Sequence, residues 1–568
     1  LDVDQQNIAK ARTHLRSLGV YGQVSVDVFD GEHLPYVENL ANLIVVEGPC
    51  EVPMAEMMRV LAPLGVACVN GKKAVKPWPK DIDEWTHFLH GPDNNAVARD
   101  TVVGPPRSLQ WAAGPAWGRH HDALSSLSAM VSAGGRIFYI LDEAPTSLMH
   151  IDPQWNLVAR DAFSGVLLWR RPIKKWEFHL RYFRTGPPQL PRRLVAVGQR
   201  VYVTLGYGQP VTVLDAATGQ TRKTLADTEN AEEIVCHAGV ILVVSSQDAS
   251  PTPAQSLPLT KKRLAAIDDD TGKLLWEKEL SILPQTLAAI EDSVFFCAGA
   301  ELICSDLKTG KERWRAVASD AARRGLSPWY APTLVATKEA VLFAMKPTVR
   351  AFATKTGKKL WESTAATGFL SPSDLFVANG LAWTMNAKKL PGIPKPSSLF
   401  EGRDIGTGEV KRVINASLVW TRGHHHRCYR NKATNRFLIT SKRGLEFLDL
   451  EGDRHSRNNW VRGMCQYGIM PCNGLTYTPP HPCMCFAAAK LNGFYALAAQ
   501  RDASRMAEPE NRLERGPAYM QARTLLPATS EPVTSDAPSK EVFWRVDGIT
   551  DDLDWPTLRH DPARSGAT

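Results

Sequence analysis

The motif Asp268-Asp-Asp-Thr-Gly272, with Trp276 four residues on, recurs along the chain and restricts what it can fold into. It reads as a strand end, a tight turn and a strand start. Glycine supplies the positive φ such a turn needs, and Asp and Thr side chains bond nearby backbone amides. The motif returns as Asp161-Ala-Phe-Ser-Gly165 with Trp169, Asp215-Ala-Ala-Thr-Gly219, Asp306-Leu-Lys-Thr-Gly310 with Trp314, Thr354-Lys-Thr-Gly357 with Trp361, Asp404-Ile-Gly-Thr-Gly408, and a degenerate Asp449-Leu-Glu-Gly452. Successive anchors stand 54, 53, 38, 48, 50 and 45 residues apart. A period near 40–50 with several short strands per unit implies a β-propeller.

Seven turns are visible, and an eighth unit, 470–497, has strand-like runs but neither turn nor Trp. The run Leu109-Gln-Trp-Ala-Ala113 can supply its missing outer strand, closing the ring and leaving no exposed sheet edge. The expected fold is mainly β: an eight-bladed β-propeller over 108–502 with a small N-terminal α/β, partial Rossmann-like, domain. These turns resemble the pyrroloquinoline-quinone (PQQ), or tryptophan-docking, repeat, in which the Trp packs over the turn of the neighbouring blade. In that family Glu84-Trp-Thr-His-Phe-Leu-His90 is similar to the segment that opens a propeller, and so is 554–568. The resemblance implies a possible second propeller beginning at 554. Residues 76–107 read as a basic, Pro-rich lead-in, and 503–553 as a helix and linker.

Residues 1–75 alternate helix and strand: apolar spacing over 5–18, strands at 24–28 and 43–47, a helix at 52–61, a strand at 65–69. Here Asp2, Phe29-Asp30-Gly31, the helix 54–61 and Gly65-Val-Ala-Cys-Val69 resemble class I S-adenosylmethionine-dependent methyltransferases. The resemblance implies that Asp2 binds the cofactor ribose and Asp30 the adenine. The family's first strand and glycine-rich loop, which bring the backbone close to the cofactor, have no counterpart in this sequence. The expectation is a vestigial site that does not hold S-adenosylmethionine, packed against the propeller.

A net charge of +8, with Lys and Arg scattered rather than bunched, argues against a nucleic-acid role. No run of about 18 apolar residues is present, so no membrane span is expected. Ten cysteines in 568 residues do not make a disulfide scaffold. Six read as isolated buried thiols, while Cys465, Cys472, Cys483 and Cys485 fit a disulfide or a metal equally well. Family habit implies a periplasmic or extracellular location.

Loops joining one blade's outer strand to the next blade's inner strand converge on one mouth of a propeller. The segments in those positions are Arg119-His-His-Asp122, His179-Leu-Arg-Tyr-Phe-Arg184, Trp329-Tyr330, 422–430, and Cys465 to Cys472. Imidazole and phenol suit general acid–base chemistry, so His121, Tyr182, His425 and Tyr429 are the catalytic candidates. Guanidinium groups hold carboxylates or sulfates in bidentate geometry, so Arg119, His120, Arg181, Trp329, Tyr330, Arg427, Arg430 and Tyr467 are candidates for substrate binding. His424, His426 and Cys428 alternate on one face of a strand and fit a divalent metal ion. Quinoproteins of the PQQ family carry vicinal cysteines and a calcium site of acidic and Asn ligands; no Cys-Cys dipeptide occurs here, so PQQ is not expected. The function that fits this equipment is binding of a small molecule or polysaccharide, with elimination on an acidic carbohydrate as its chemistry. A quinoprotein oxidoreductase and a non-catalytic scaffold for protein or glycan are the alternatives.

Overall fold

The computed structural model describes residues 1–49, 51–119, 125–148, 150–176, 189–246, 260–319, 331–366, 371–388, 397–420, 429–482 and 491–499. The chain divides into two compact units, Leu1–Arg501 and Asp502–Thr568. The second lies wholly outside the described residues, as do the expected linker and the start of a second propeller.

The N-terminal segment forms α1 (Gln5–Ser17), β1 (Ala41–Val46), α2 (Met54–Val60), β2 (Leu61–Val69) and β3 (Lys72–Val75). β1 pairs parallel with β2, and β3 returns antiparallel. The strand expected at 24–28 is reduced to isolated bridges, Tyr21 with Val24 and Val28 with Asp2. This layer leans on the rest of the unit: Asn42 Nδ2 donates to Asp161 Oδ2 at 2.8 Å, and Gln110 Nε2 to the Glu38 carbonyl at 2.9 Å.

Eight further sheets follow among the described residues, lettered A to H here: A 127–172, B 194–224, C 231–280, D 288–317, E 333–364, F 375–415, G 432–458 and H 470–499. A to F are four-stranded antiparallel meanders. Sheet H takes its fourth strand from β5 (Pro106–Ala113), antiparallel to Phe494–Ala499. Sheet G gains a parallel fifth strand, β4 (Val97–Ala98), beside Lys432–Thr434. The first strand of each sheet lies against the first strand of the next, with β4 intervening between F and G, and H returns to A.

Neighbouring sheets are joined by the turn motif. Asp215 Oδ1 accepts from Ala217 N, Thr218 N and Thr218 Oγ1, and Gly219 N closes onto the Asp215 carbonyl at 2.8 Å. Gly219 has φ +70°, and the indole of Trp169 from sheet A lies so close over it that a Cβ would sit 2.7 Å from the ring. The indole N–H donates to the Ala216 carbonyl at 3.0 Å. The same contact joins Trp111 to Ala162 and Gly165, Trp276 to Leu307 and Gly310, Trp314 to Thr354 and Gly357, and Trp361 to Ile405 and Gly408. Sheet B has Lys223 where the others have Trp, and its Nζ donates to Asp269 O, the equivalent carbonyl of the next turn. Sheet F has Arg412, which reaches Glu451 O and Gly452 O at 2.7 and 2.9 Å.

The lead-in 76–107 is part of the ring rather than a crossing to it. Its stretch 83–98 touches the first strand of every sheet, or the residue that follows it. Ser132 N donates to Trp85 O, Ala196 N to Thr86 O, Ala289 N to Pro92 O, Ala336 N to Asp93 O, Ala433 N to Ala96 O and Asn473 N to Asp83 O. Cys236 N donates to His87 Nε2 at 3.1 Å, and Val377 N to Asn95 Oδ1 at 2.9 Å. Burial pushes the His87 imidazole down to about 3, so the ring is neutral and its Nε2 lone pair accepts the amide. These contacts fall at the ends of the first strands, the side that carries the Asp-x-x-Thr-Gly turns. That mouth is closed by the chain's own backbone.

Two predictions follow from the turns. Gly219→Ala adds a left-handed alanine and a clash with Trp169, which together cost about 2–4 kcal/mol. Gly239→Ala, at φ +76° but with nothing within 4 Å, costs only about 1–2 kcal/mol; denaturant midpoints of the two variants check the difference. Arg222 and Arg313, with the turn amides and hydroxyls, hold Asp215 and Asp306 at about 2, below the usual 3.8. Carboxyls depressed on folding stabilise the protein above the unfolded value, and that contribution disappears as pH falls from about 4 to about 2. Asp306→Asn flattens this acid limb in a pH series of melting temperatures.

Candidate functional site

The opposite mouth lies at the starts of the first strands. His120, His121, Arg181, Tyr182, Trp329, Tyr330, His424, His425, His426, Arg427 and Cys428 lie outside the described residues. Four candidates are described. Arg119 is buried, ion-paired to Asp142 at 2.9 Å and bonded to the Leu148 and Ile151 carbonyls. Tyr429 is buried with its ring against Gly463 and Gly468, and its hydroxyl donates to Ser441 Oγ. Tyr467 donates its hydroxyl to the Met130 carbonyl at 2.6 Å, tying sheet H to sheet A. Arg430 points into the centre, where its guanidinium bonds Thr333 Oγ1, Gln285 Oε1 and, at 3.0 Å, the Pro332 carbonyl.

Arg430 belongs to a buried polar belt. Arg192 is ion-paired to Glu233 at 2.8 Å and donates to Asn94 Oδ1 and Leu287 O at 2.6 and 2.7 Å. The other Glu233 oxygen accepts Gln285 N at 2.5 Å. Asp374 accepts Asn431 N and Asn431 Nδ2 at 3.2 and 2.7 Å. Lys432 Nζ donates to the Tyr467 and Ile469 carbonyls, both at 2.8 Å, and lies 4.0 Å from the Tyr467 ring centroid and 5.6 Å from those of Trp85 and Phe88. Arg193 packs over the Trp176 ring and donates to its carbonyl.

Charge in this belt is unbalanced. Among the described residues Arg192, Arg193, Lys262, Arg430 and Lys432 face Glu232, Glu233 and Asp374. Burial raises Asp374 to about 7, so near neutrality it is only half ionised. Burial, reinforced by the charge of Arg192, pushes Arg430 down to about 9, and burial with Arg430 lowers Lys432 well below its ordinary value. The charge of Arg192 thus acts against that of Arg430 in a low-dielectric site.

Of these, Arg192, Glu233, Asp374 and Lys432 are not among the residues that the loop pattern of the sequence singles out. The usable signal was a charged residue inside or directly flanking an otherwise apolar inner strand, as at Glu233, Asp374 and Lys432.

Residues 260–393 match a family described as outer membrane protein assembly factor BamB. The chain is structurally similar to quinohemoprotein alcohol dehydrogenase ADHIIG from Pseudomonas putida HK5, at 10% identity over 70% of this chain and 75% of that one, TM-score 0.43. It is likewise similar to the quinohemoprotein alcohol dehydrogenase of Comamonas testosteroni (9% identity, 78% and 84%, TM-score 0.45) and to BamB from Moraxella catarrhalis (16%, 60% and 93%, TM-score 0.36). The match marks 260–393 as similar to a PQQ-like repeat domain, and the four-stranded antiparallel sheets are consistent with a β-propeller. No curated protein matches the chain in sequence.

None of these likenesses supports a methyltransferase-like N-terminus. Asp2 sits ahead of α1, accepting from Asp4 N and Asn7 Nδ2, and Asp30 accepts from Glu32 N, His33 N and His33 Nδ1. Both carboxylates are engaged by their own loops, which is ordinary local capping. The PQQ-like repeat raises the question of the quinone and its calcium ion. Among the described residues no group of three His, Cys, Asp or Glu side chains is placed to hold a metal. Glu233 and Asp374 face Arg192, Gln285 and Asn431 instead, so the described residues do not fit a calcium cradle. Cys465 and Cys472 are buried, while Cys483 and Cys485 lie outside the described residues. No helix among the described residues is long and apolar enough to cross a membrane.

An acid with a raised folded pKa binds its proton more tightly in the native state, so stability falls as pH rises from the unfolded value of 3.8 to about 7. Asp374→Asn removes that decline, because the amide still accepts from Asn431 and carries no charge. Urea midpoints at pH 5 and pH 8 differ less in the variant than in the parent protein.

Proposed function

We propose that this chain is an exported, eight-bladed PQQ-like propeller that binds an acidic carbohydrate at its open mouth. The observation that carries the reading is the cluster of buried cations at the starts of the inner strands, where burial and the charge of Arg192 both push Arg430 below its ordinary value. A uronate offers carboxylates for guanidinium groups and hydroxyls for the amide and hydroxyl groups of Gln285, Asn431 and Thr333. Binding is the better supported part. Tyr429 is engaged with Ser441, so an elimination step would fall to His121, Tyr182 and His425, with a divalent ion at His424, His426 and Cys428 neutralising the substrate carboxylate. A second reading, a scaffold for a protein partner, is favoured by the match of 260–393 to an assembly factor.

Calorimetric titration with oligogalacturonate tests the first reading. Affinity is expected to fall about tenfold or more between low and high salt, to vanish for the methyl-esterified oligomer, and to be greater at pH 6 than at pH 8, since Asp374 is neutral below about 7. Asp374→Asn is expected to abolish the pH effect. Equal binding of the neutral ester contradicts the reading. Unsaturated products would add the elimination step, and a co-purifying protein that oligogalacturonate fails to displace would favour the scaffold.

A further inference from the structure

Docking by Trp, Lys or Arg onto a motif turn joins A to B and so on round to G, and joins H back to A. Between G and H no such contact is made among the described residues. Sheet G ends in the short strand Ser456–Asn458, and sheet H in β5. On the outer flank between those two edge strands lies a cleft of about 380 Å³. It is remote in topology from the belt, which sits on the innermost strands.

The cleft has four distinct kinds of wall. Trp460 stands at its rim half-exposed, and its backbone is clamped on both sides: its N–H donates to Asn458 Oδ1 and its carbonyl accepts Leu491 N, both at 2.9 Å. Pro105 and Pro106 form the facing apolar surface. Arg107 and Arg457 are exposed and make no ion pair among the described residues. Ser456 Oγ and Asn459 Oδ1 are buried polar atoms with no hydrogen-bond partner among the described residues.

We propose that this cleft binds an acidic sugar unit, as a second site separate from the mouth. A half-exposed indole opposite prolines takes the apolar face of a pyranose ring. The unsatisfied hydroxyl and carboxamide oxygen take ring hydroxyls, since buried polar atoms left unpaired cost free energy that a ligand group recovers. The two guanidiniums take the carboxylate, and a peptide of acidic side chains offers no ring for the indole.

No His, Asp, Glu or Cys lines this cleft, so its affinity is expected to be flat between pH 6 and pH 8, unlike that of the mouth. The test is calorimetry and saturation-transfer NMR of the whole chain with oligogalacturonate, comparing the parent with Trp460→Ala and with the double variant Arg107→Ala/Arg457→Ala. All three side chains are exposed, so unchanged melting temperatures verify folding. The pH-independent component is expected to weaken about tenfold or more in each variant, leaving any pH-dependent component intact. Failure at the mouth therefore leaves this component measurable on its own. An isotherm unaltered in Trp460→Ala overturns the proposal, as does equal binding of a polyglutamate peptide.

Discussion

Five of the joins in the ring depend on an indole lying over a glycine of the next sheet's turn. The glycine is required twice over, by its positive φ and by the ring that occupies the place of a Cβ. The turn's Asp and Thr fix the loop, and the indole N–H then finds the carbonyl that the loop presents. A buried Trp contributes large apolar area and one directed bond, so one residue sets both the spacing and the register of adjacent sheets. Lys223 and Arg412 isolate the essential part. Where the ring is lost, a cation still reaches a turn carbonyl, and the directed bond to the turn outlasts the stacking.

The second constraint is the stretch 83–98, which bonds the inner strands one after another and makes the two mouths unequal. On the turn side the ends of the strands are satisfied by backbone and by the neutral imidazole of His87. On the other side the strand starts gather Arg192, Glu233, Gln285, Arg430, Asp374 and Lys432 around a core of Trp85, Phe88 and Tyr467. Asn94 links the two levels, bonding Arg192 and the Leu287 carbonyl together. The closure therefore orients the belt as well as sealing the ring.

The repeat was legible because turn chemistry is local: Asp, Thr, Gly and Trp within nine residues specify a conformation by themselves. The strand lent by 109–113 was legible from the count of units. The role of 83–98 was not, since its bonds run to residues up to hundreds of positions away and its sequence has no periodicity to betray them. In the site, aromatic and basic loop residues drew attention for their chemistry. Arg119, Tyr429 and Tyr467 are instead engaged in holding loops and sheets together, while Asp374 and Lys432, embedded in apolar runs, hold the unusual charge states. The methyltransferase resemblance rested on two aspartates, a helix and a strand; the likenesses do not support it, and both aspartates accept from amides of their own loops.

The most direct measurement is a crystal structure of the whole chain with a bound oligogalacturonate at pH 6. The account predicts a carboxylate seated over the Arg192–Arg430 belt at the starts of the inner strands, with 83–98 unmoved on the opposite side. A ligand seated on the turn side, displacing 83–98, would contradict it.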